Sequence, residues 1–395
     1  MRKLLLTTAA VAAGMVLLLA VSVHAIVDTR WPPPTKSPWK SGATAVTLDS
    51  NGILRVSGVG AMADYNAYYS FPNAPWIGSR DSITEAVIED GVTHIGIGAF
   101  MYCRNIKSIK IPTSVTSIGD WAFRSTGLTS VVIPNSVTGI EEGTFYGCYD
   151  LTSVTIEDGV RYIDSDAFER CSNLKHITIP NSVEYIGNCA FYECKSLISI
   201  TIPDNICNVE DLFRNCVSLT SININKGNRF YSSVDGVLFN KDKTELIMYP
   251  QGRQGAYTVP RAVKSIGSGA FRDCNALTSV TIRNRVQNIR EFAFSGCTSL
   301  TSITVNNPKP PKAGNSAFWK INMDNACLFI PPFSVGAYRA SDEWKNFKLV
   351  HGITDDTNDI PWLWLAAGVL TALILSAAVF IVIKKLRKSS IKDVI

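Results

Sequence analysis

The apolar residues of this chain fall into a phrase that returns at near-constant intervals. It is clearest at Leu128-Thr-Ser-Val-Val-Ile-Pro-Asn-Ser-Val137, where apolar residues stand at Leu128, Val131 and Ile133, polar ones at Thr129 and Ser130, and a proline follows. The phrase comes back at Leu151 to Ile156, Leu174 to Val183, Leu277 to Ile282 and Leu300 to Val305. A second phrase, Ile-Gly-x-x-Ala-Phe-x-x-Cys, sits between the copies. Its Phe falls at 100, 123, 145, 168, 191, 213, 271, 294 and 318, in steps of 22 to 24 residues with one step of 58. Self-similarity at a fixed period of this length marks a solenoid, and it organises the chain from about Ile83 to Val305.

One unit, Leu128 to Cys148, shows how a coil would be built. Leu128, Val131 and Ile133 follow the L-x-x-L-x-L spacing of a leucine-rich repeat. The β-branched run to Ile133 predicts a short strand. Pro134 has no N–H for a ladder and ends it. Asn135 and Ser136 predict a turn. Val137 and Ile140 point inward again. Thr144 and Phe145 are expected on a short helical or 3₁₀ turn of the opposite wall, with Phe145 filling the core. No unit can bury its apolar face alone, so each needs neighbours on both sides. About ten rungs at about 4.8 Å each predict a slab on the order of 50 Å long.

The outward strand positions form a nearly uncharged Thr/Ser surface. Its candidate binding residues are Thr129, Thr152, Thr155, Thr178, Thr201, Thr220, Thr278, Thr281, Thr301 and Thr304. Thr is also simply a good solvent-facing strand residue. The functional reading is a docking surface for an extended partner; ordering ice or binding a carbohydrate are further uses of a flat Thr array.

These phrases resemble those of the BspA-like leucine-rich-repeat surface proteins, over roughly residues 44 to 352. The likeness extends beyond the repeats. Thr47 to Met62 and Ala74-Pro-Trp76 resemble the lead-in ahead of such arrays, and Tyr231 to Asn240 resembles the family's interrupting hairpin. The resemblance implies a non-enzymatic cell-surface protein that adheres to host or neighbouring-cell proteins. It carries no catalytic residues, because the motif has none.

Read in order, residues 1–25 form a secretory signal peptide: Met1-Arg2-Lys3, an apolar run, then small residues at Val23-His24-Ala25. An uncleaved anchor helix is the alternative. Residues 26–43 are an exposed, proline-rich leader. Residues 44–82 are an N-terminal cap with a hairpin turning at Asp49-Ser-Asn-Gly52, a short helix or irregular turn from Met62 to Ser70, and Trp76 on the first rung. Residues 83–224 are the first part of the solenoid, with a kink expected near Asn208. Residues 225–258 are an inserted β-hairpin, with strands at Val234–Asn240 and Thr244–Tyr249, emerging from the solenoid wall. Residues 259–318 are the second part of the solenoid. Residues 319–352 are a C-terminal cap: a last strand from Cys327 to Ile330, then a helix from Ser334 to Phe347 with Tyr338, Trp344 and Phe347 inside. A polar stalk, 353–360, leads to a transmembrane helix at 361–383, where Trp362 to Ile383 carries no charge. The basic start of the tail, 384–395, places that tail in the cytoplasm and the rest outside. The expected fold class is therefore an α/β repeat: a leucine-rich-repeat solenoid of short parallel strands and short helical turns, a β-rich cap, one inserted hairpin and one membrane helix.

The formal charge of +5 is concentrated at the two ends. The segment between signal and tail is nearly neutral, which argues against nucleic acid as a partner. Seven of the ten cysteines, at 103, 148, 171, 194, 216, 274 and 297, lie three residues after a repeat Phe, and Thr126 fills that place once. They form an internal column of small apolar fillers, although neighbours such as Cys171 and Cys194 could bridge if close enough. The histidines are scattered and no C-x-x-C occurs, so no metal site is expected. No cofactor and no catalytic set is expected either. The reading is a single-pass surface binding protein for an extracellular protein ligand, held to the membrane by its C-terminal helix, with exposed aromatics near the cap, Tyr65, Tyr68 and Tyr69, as anchors for the partner. The alternative is a structural spacer that self-associates.

Overall fold

The computed structural model describes residues 37–65, 73–209 and 211–353. The signal peptide, most of the leader, Tyr68, Tyr69, nearly all of the stalk, the membrane helix and the tail lie outside the described residues. Among the described residues no helix is long and apolar enough to cross a membrane.

Successive coils stack in register. The strands Ser130–Ile133, Ser153–Ile156 and His176–Thr178 pair in parallel, with Ser130, Ser153 and His176 side by side. The rings of Phe100, Phe123, Phe145 and Phe168 stack in one file at 5.4 Å, nearly parallel, and all are fully buried. The file tilts by 18° between Phe191 and Phe213. That is the rung with the shortened segment Asp204 to Phe213, and among the described residues it shows no second short strand like those of its predecessors.

The opposite wall differs from the sequence expectation. The repeats contain no helix among the described residues; helical turns occur only at Ile77–Ser82, Val335–Arg339 and Trp344–Asn346. Two-residue parallel strands such as Gly139–Ile140, Tyr162–Ile163 and Tyr185–Ile186 form a second narrow ladder instead. Beyond it the chain turns around each Phe with left-handed residues two places before and two places after. For Phe168 these are Asp166 and Arg170; for Phe123 they are Trp121 and Ser125. Alternating handedness points every second N–H along the solenoid axis, so Phe145 N bonds Ala167 O at 2.8 Å and Gly147 N bonds Glu169 O at 2.7 Å on the next rung. A helix would spend those donors within its own coil. The inter-rung bonds offset the cost of the left-handed backbone, on the order of 1 kcal/mol per non-glycine residue.

The cap begins earlier than expected. Trp39–Ser41, assigned to the leader by sequence, is a strand antiparallel to Thr44–Leu48, which pairs in turn with Ile53–Gly58. Ile53–Gly58 runs parallel to Glu85–Ile88, so the cap is continuous with the first coil. Trp76 is fully buried, and its Nε1–H donates to Ala99 O at 2.8 Å. The segment 62–65 is irregular rather than helical.

The insertion contains the expected hairpin, Val237–Asn240 against Glu245–Met248, but the hairpin does not project from the wall. Tyr231–Val234, Val237–Asn240 and Glu245–Met248 form an antiparallel three-stranded unit whose last strand runs parallel to Ser265–Ile266 of the following coil. Val237, Leu238, Phe239, Leu246 and Tyr249 are buried and join the two halves of the core. Tyr249 takes the ring position of a repeat Phe and stacks on Phe271 at 5.0 Å. The step of 58 thus conceals one degenerate coil. At the far end, the expected helix is two short pieces, Val335–Arg339 and Trp344–Asn346, but Tyr338, Trp344 and Phe347 are all buried. A further strand, Leu349–Gly352, pairs in parallel with Cys327–Ile330 and adds a rung that the sequence did not announce.

Candidate functional site

The outward strand face is built by alternation. In Ser153–Ile156 the inward Val154 and Ile156 are buried while Ser153 and Thr155 face solvent. Of the ten candidate threonines, Thr129, Thr152, Thr155, Thr178, Thr201, Thr220, Thr278 and Thr301 are exposed; Thr281 and Thr304 are half-buried. Thr304 is flanked across the ladder by Thr281 and by the larger Phe329.

Hydrogen bonding divides this row in two. Thr129 Oγ1 donates to Lys107 O, Thr152 to Thr129 O, Thr220 to Ile198 O and Thr301 to Thr278 O, at 2.9–3.2 Å. These four hydroxyls clamp one rung to the one before it. Thr155, Thr178, Thr201, Thr278, Thr281 and Thr304 make no side-chain hydrogen bond among the described residues, so their hydroxyls remain open to a partner. Thr155, Thr178 and Thr201 follow one another on successive rungs: Thr155 pairs with Thr178, and Ile198 N bonds Lys175 O at 3.3 Å, which sets the strand of Thr201 on the next rung. Val132 and Ile198 add exposed apolar area on the same face.

The cysteine column is fully formed. Cys148 Sγ donates to Phe123 O at 3.1 Å, Cys171 to Phe145 O at 3.2 Å, Cys194 to Phe168 O at 3.2 Å and Cys297 to Phe271 O at 2.9 Å. Each thiol thus satisfies the carbonyl of the Phe one coil back. Thr126 lies 3.2 Å from Cys148 Sγ and keeps the column polar at its one substitution. All ten cysteines are free. Burial pushes Cys148 up to about 11 and Cys103, Cys216 and Cys297 up to about 12. The same cause holds Cys171, Cys194 and Cys274 well above the ordinary thiol range.

Three features escaped sequence reasoning. On the Phe wall, the Arg124 guanidinium lies 4.9 Å from the rings of Trp121 and Tyr146, and Arg170 donates to the Tyr146 hydroxyl at 2.8 Å. The signal was present as bulky residues at variable repeat positions, which periodicity arguments discard. Asp166, Glu169 and Cys189 bring three potential ligand atoms within 4.8 Å of one another. Burial, and then the Asp166 carboxylate, push Glu169 up to about 7, so a proton shared between the carboxyls fits this group as well as a cation does. A cleft of ≈ 280 Å³ opens where the insertion interrupts the stack, lined in part by Phe213, Tyr231, Tyr249, Arg272 and Phe292. In the other direction, Tyr65, expected as an exposed anchor, is buried: its hydroxyl donates to Ser41 Oγ at 2.7 Å and its ring meets Trp76 edge-on.

Comparison with known proteins places the repeats. The family model described as BspA type leucine rich repeat region matches in six copies, over residues 78–176, 163–252 and 253–333. The search of curated proteins gave no match. A leucine-rich repeat protein from Eubacterium ventriosum is similar at 25% identity and a TM-score of 0.48, covering 79% of this chain and 83% of its own. A leucine-rich cell surface protein from Faecalibacterium prausnitzii is similar at 21% identity and a TM-score of 0.42, covering 82% and 96%. The pneumococcal vaccine antigen PcpA is similar at 17% identity and a TM-score of 0.42, covering 81% and 100%.

Proposed function

The chain belongs to the BspA-type leucine-rich-repeat family, whose members are usually cell-surface proteins, and from that premise we propose that it is a membrane-anchored adhesin. It displays its solenoid outside the cell to an extracellular protein. Residues 361–383 hold it in the bilayer, and the basic residues after them keep the tail inside.

One observation carries the reading: the column of Thr155, Thr178 and Thr201 hydroxyls that the fold itself does not use, set on a rigid stack. A partner strand laid across the column meets evenly spaced donors and acceptors at the strand separation of about 4.8 Å. The flat, nearly uncharged surface favours a protein segment over a polyanion. The motif supplies no nucleophile–base pair, which is why binding rather than catalysis is proposed.

The test is a Thr155→Ala, Thr178→Ala, Thr201→Ala triple variant, assayed for attachment of cells displaying the full chain to immobilised host and matrix proteins. Each lost hydrogen bond is worth about 1 kcal/mol, so affinity should fall on the order of 100-fold while the melting temperature stays put. Unchanged attachment removes this face from the adhesin reading. Replacing Thr129 and Thr152 instead should shift thermal stability and leave attachment nearly intact, because those hydroxyls serve the stack.

A further inference from the structure

The near-neutrality of the long segment between signal and tail conceals a division along the solenoid. Residues 83–224 hold 17 Asp and Glu against 9 Lys and Arg; residues 259–318 hold 8 Lys and Arg against 2 Asp and Glu. The first half is therefore acidic by eight charges and the second basic by six.

The division is sharpest along one edge. In each coil the chain turns a corner just after its long strand. In the first half two of these corners carry an acidic pair, Glu89 and Asp90 after Glu85–Ile88 and Glu157 and Asp158 after Ser153–Ile156, while the corners at Pro112, Pro134 and Pro180 are uncharged. In the second half they carry Arg261 after Gly255–Thr258, then Arg283 and Arg285 after Leu277–Ile282. Arg261, Arg283 and Arg285, with Asn284 and Asn306, line a single hollow of ≈ 400 Å³. Among the described residues none of these three arginines forms an ion pair, and neither do Asp90, Glu157 or Asp158. Elsewhere on the solenoid, charges are matched across rungs, as in Arg161 with Glu184 at 2.8 Å and Arg290 with Glu245 at 3.2 Å. Three guanidinium groups converging on one hollow repel one another unless a counter-charge enters.

We propose that this edge is a self-complementary interface, and that its occupant is a second copy of this chain. An edge that is acidic at one end and basic at the other matches itself when a two-fold axis reverses one copy against the other. Glu157 and Asp158 of each copy then face the Arg261, Arg283 and Arg285 hollow of its partner. The separation between the two corners is the same in both molecules, so both contacts form together and the assembly closes as a dimer rather than growing into a fibre. The arginine fork suits a bidentate contact with carboxylates. The strand face lies on another surface and stays free, so this goes beyond the adhesive role of the threonines.

The experiment is sedimentation of the full-length chain in detergent, at about 0.05 M and about 0.5 M salt, a range over which exposed charges go from weakly to strongly screened. Two variants accompany it: Arg261→Glu with Arg283→Glu and Arg285→Glu, and Glu157→Arg with Asp158→Arg. The wild-type chain should dimerise at low salt, with the dissociation constant rising tenfold or more at high salt. The first variant has no basic corner left, and the second lacks the carboxylates that meet the arginine hollow, so each alone should be monomeric, and an equimolar mixture of the two should recover a dimer. Circular dichroism melts verify that the variants, altered only at surface turns, stay folded. The proposal is overturned if either variant dimerises as the wild type does, or if the mixture stays monomeric. A wild-type chain that is monomeric at low salt but retained by a sulfated polysaccharide also overturns it, in favour of an external polyanion.

Discussion

Replacing Phe145 with Ala should lower the unfolding free energy by about 3–5 kcal/mol. Phe145 is fully buried and packed at 5.4 Å between the rings of Phe123 and Phe168, so truncation opens a void that both neighbours line. Relaxation is limited, because each ring is pinned by backbone bonds to the next rung: Phe123 N to Thr144 O at 2.9 Å, and Phe168 N to Ala190 O at 2.9 Å. In a solenoid, stability is a sum of coil terms and nearest-neighbour interfaces, so weakening one interior coil also weakens its coupling to both sides. Urea denaturation should therefore show an earlier midpoint and, if the array splits at the void, a second transition. Thr155→Ala on the outer face, measured alongside, should stay within about 0.5 kcal/mol of wild type.

The thiols of the native protein should react in two widely separated classes. Cys207 is exposed, and Cys189 and Cys327 are half-exposed. The other seven are buried and raised by burial, with Cys216 and Cys297 at about 12, and six of them, all but Cys103, donate to a carbonyl. At pH 8 such a thiol is only about one part in ten thousand thiolate, the reactive form. With excess disulfide reagent, Cys207 should react first and Cys189 and Cys327 more slowly. The remaining seven should react only at the rate of unfolding, orders of magnitude later, and all ten should titrate in denaturant. Rapid native-state reaction of more than three thiols would contradict a dry column, as would an intact mass lowered by disulfide formation.

What could be read from the sequence was the part fixed by repetition. The period placed Phe123, Phe145 and Phe168 in one file and the seven cysteines in another, because an identical environment selects an identical residue in every coil. The hairpin of the cap was legible through Asp49 and Gly52, and the buried role of Trp344 through its spacing from Tyr338 and Phe347. What failed was whatever depends on contacts between rungs. The left-handed residues flanking each Phe include glycines such as Gly143 and Gly147 but also residues as varied as Trp121, Cys189 and Lys320, since their conformation is imposed by bonds to the next coil and leaves no consistent glycine signature. The sequence predicts a surface hairpin for the insertion because Tyr249 does not match the repeat Phe, although it does the same packing. Tyr65 looked like an exposed anchor because nothing local shows that Ser41 lies against it. On the candidate face, sequence alone could not separate Thr152, whose hydroxyl ties two rungs together, from Thr155, whose hydroxyl is free.

The central claim is that each turn of the chain lies directly on the last. It is tested most directly by spin-label distances along one column of outward positions. Thr129→Cys is paired in turn with Lys175→Cys, Ile198→Cys and Thr220→Cys, with Cys189, Cys207 and Cys327 replaced by Ser and the seven buried thiols left unlabelled. These sites lie two, three and four coils away from Thr129, so the mean distance should grow by about 4.8 Å with each added coil. Distances that fail to rise in that order, or that stay the same across the three pairs, would contradict the stack.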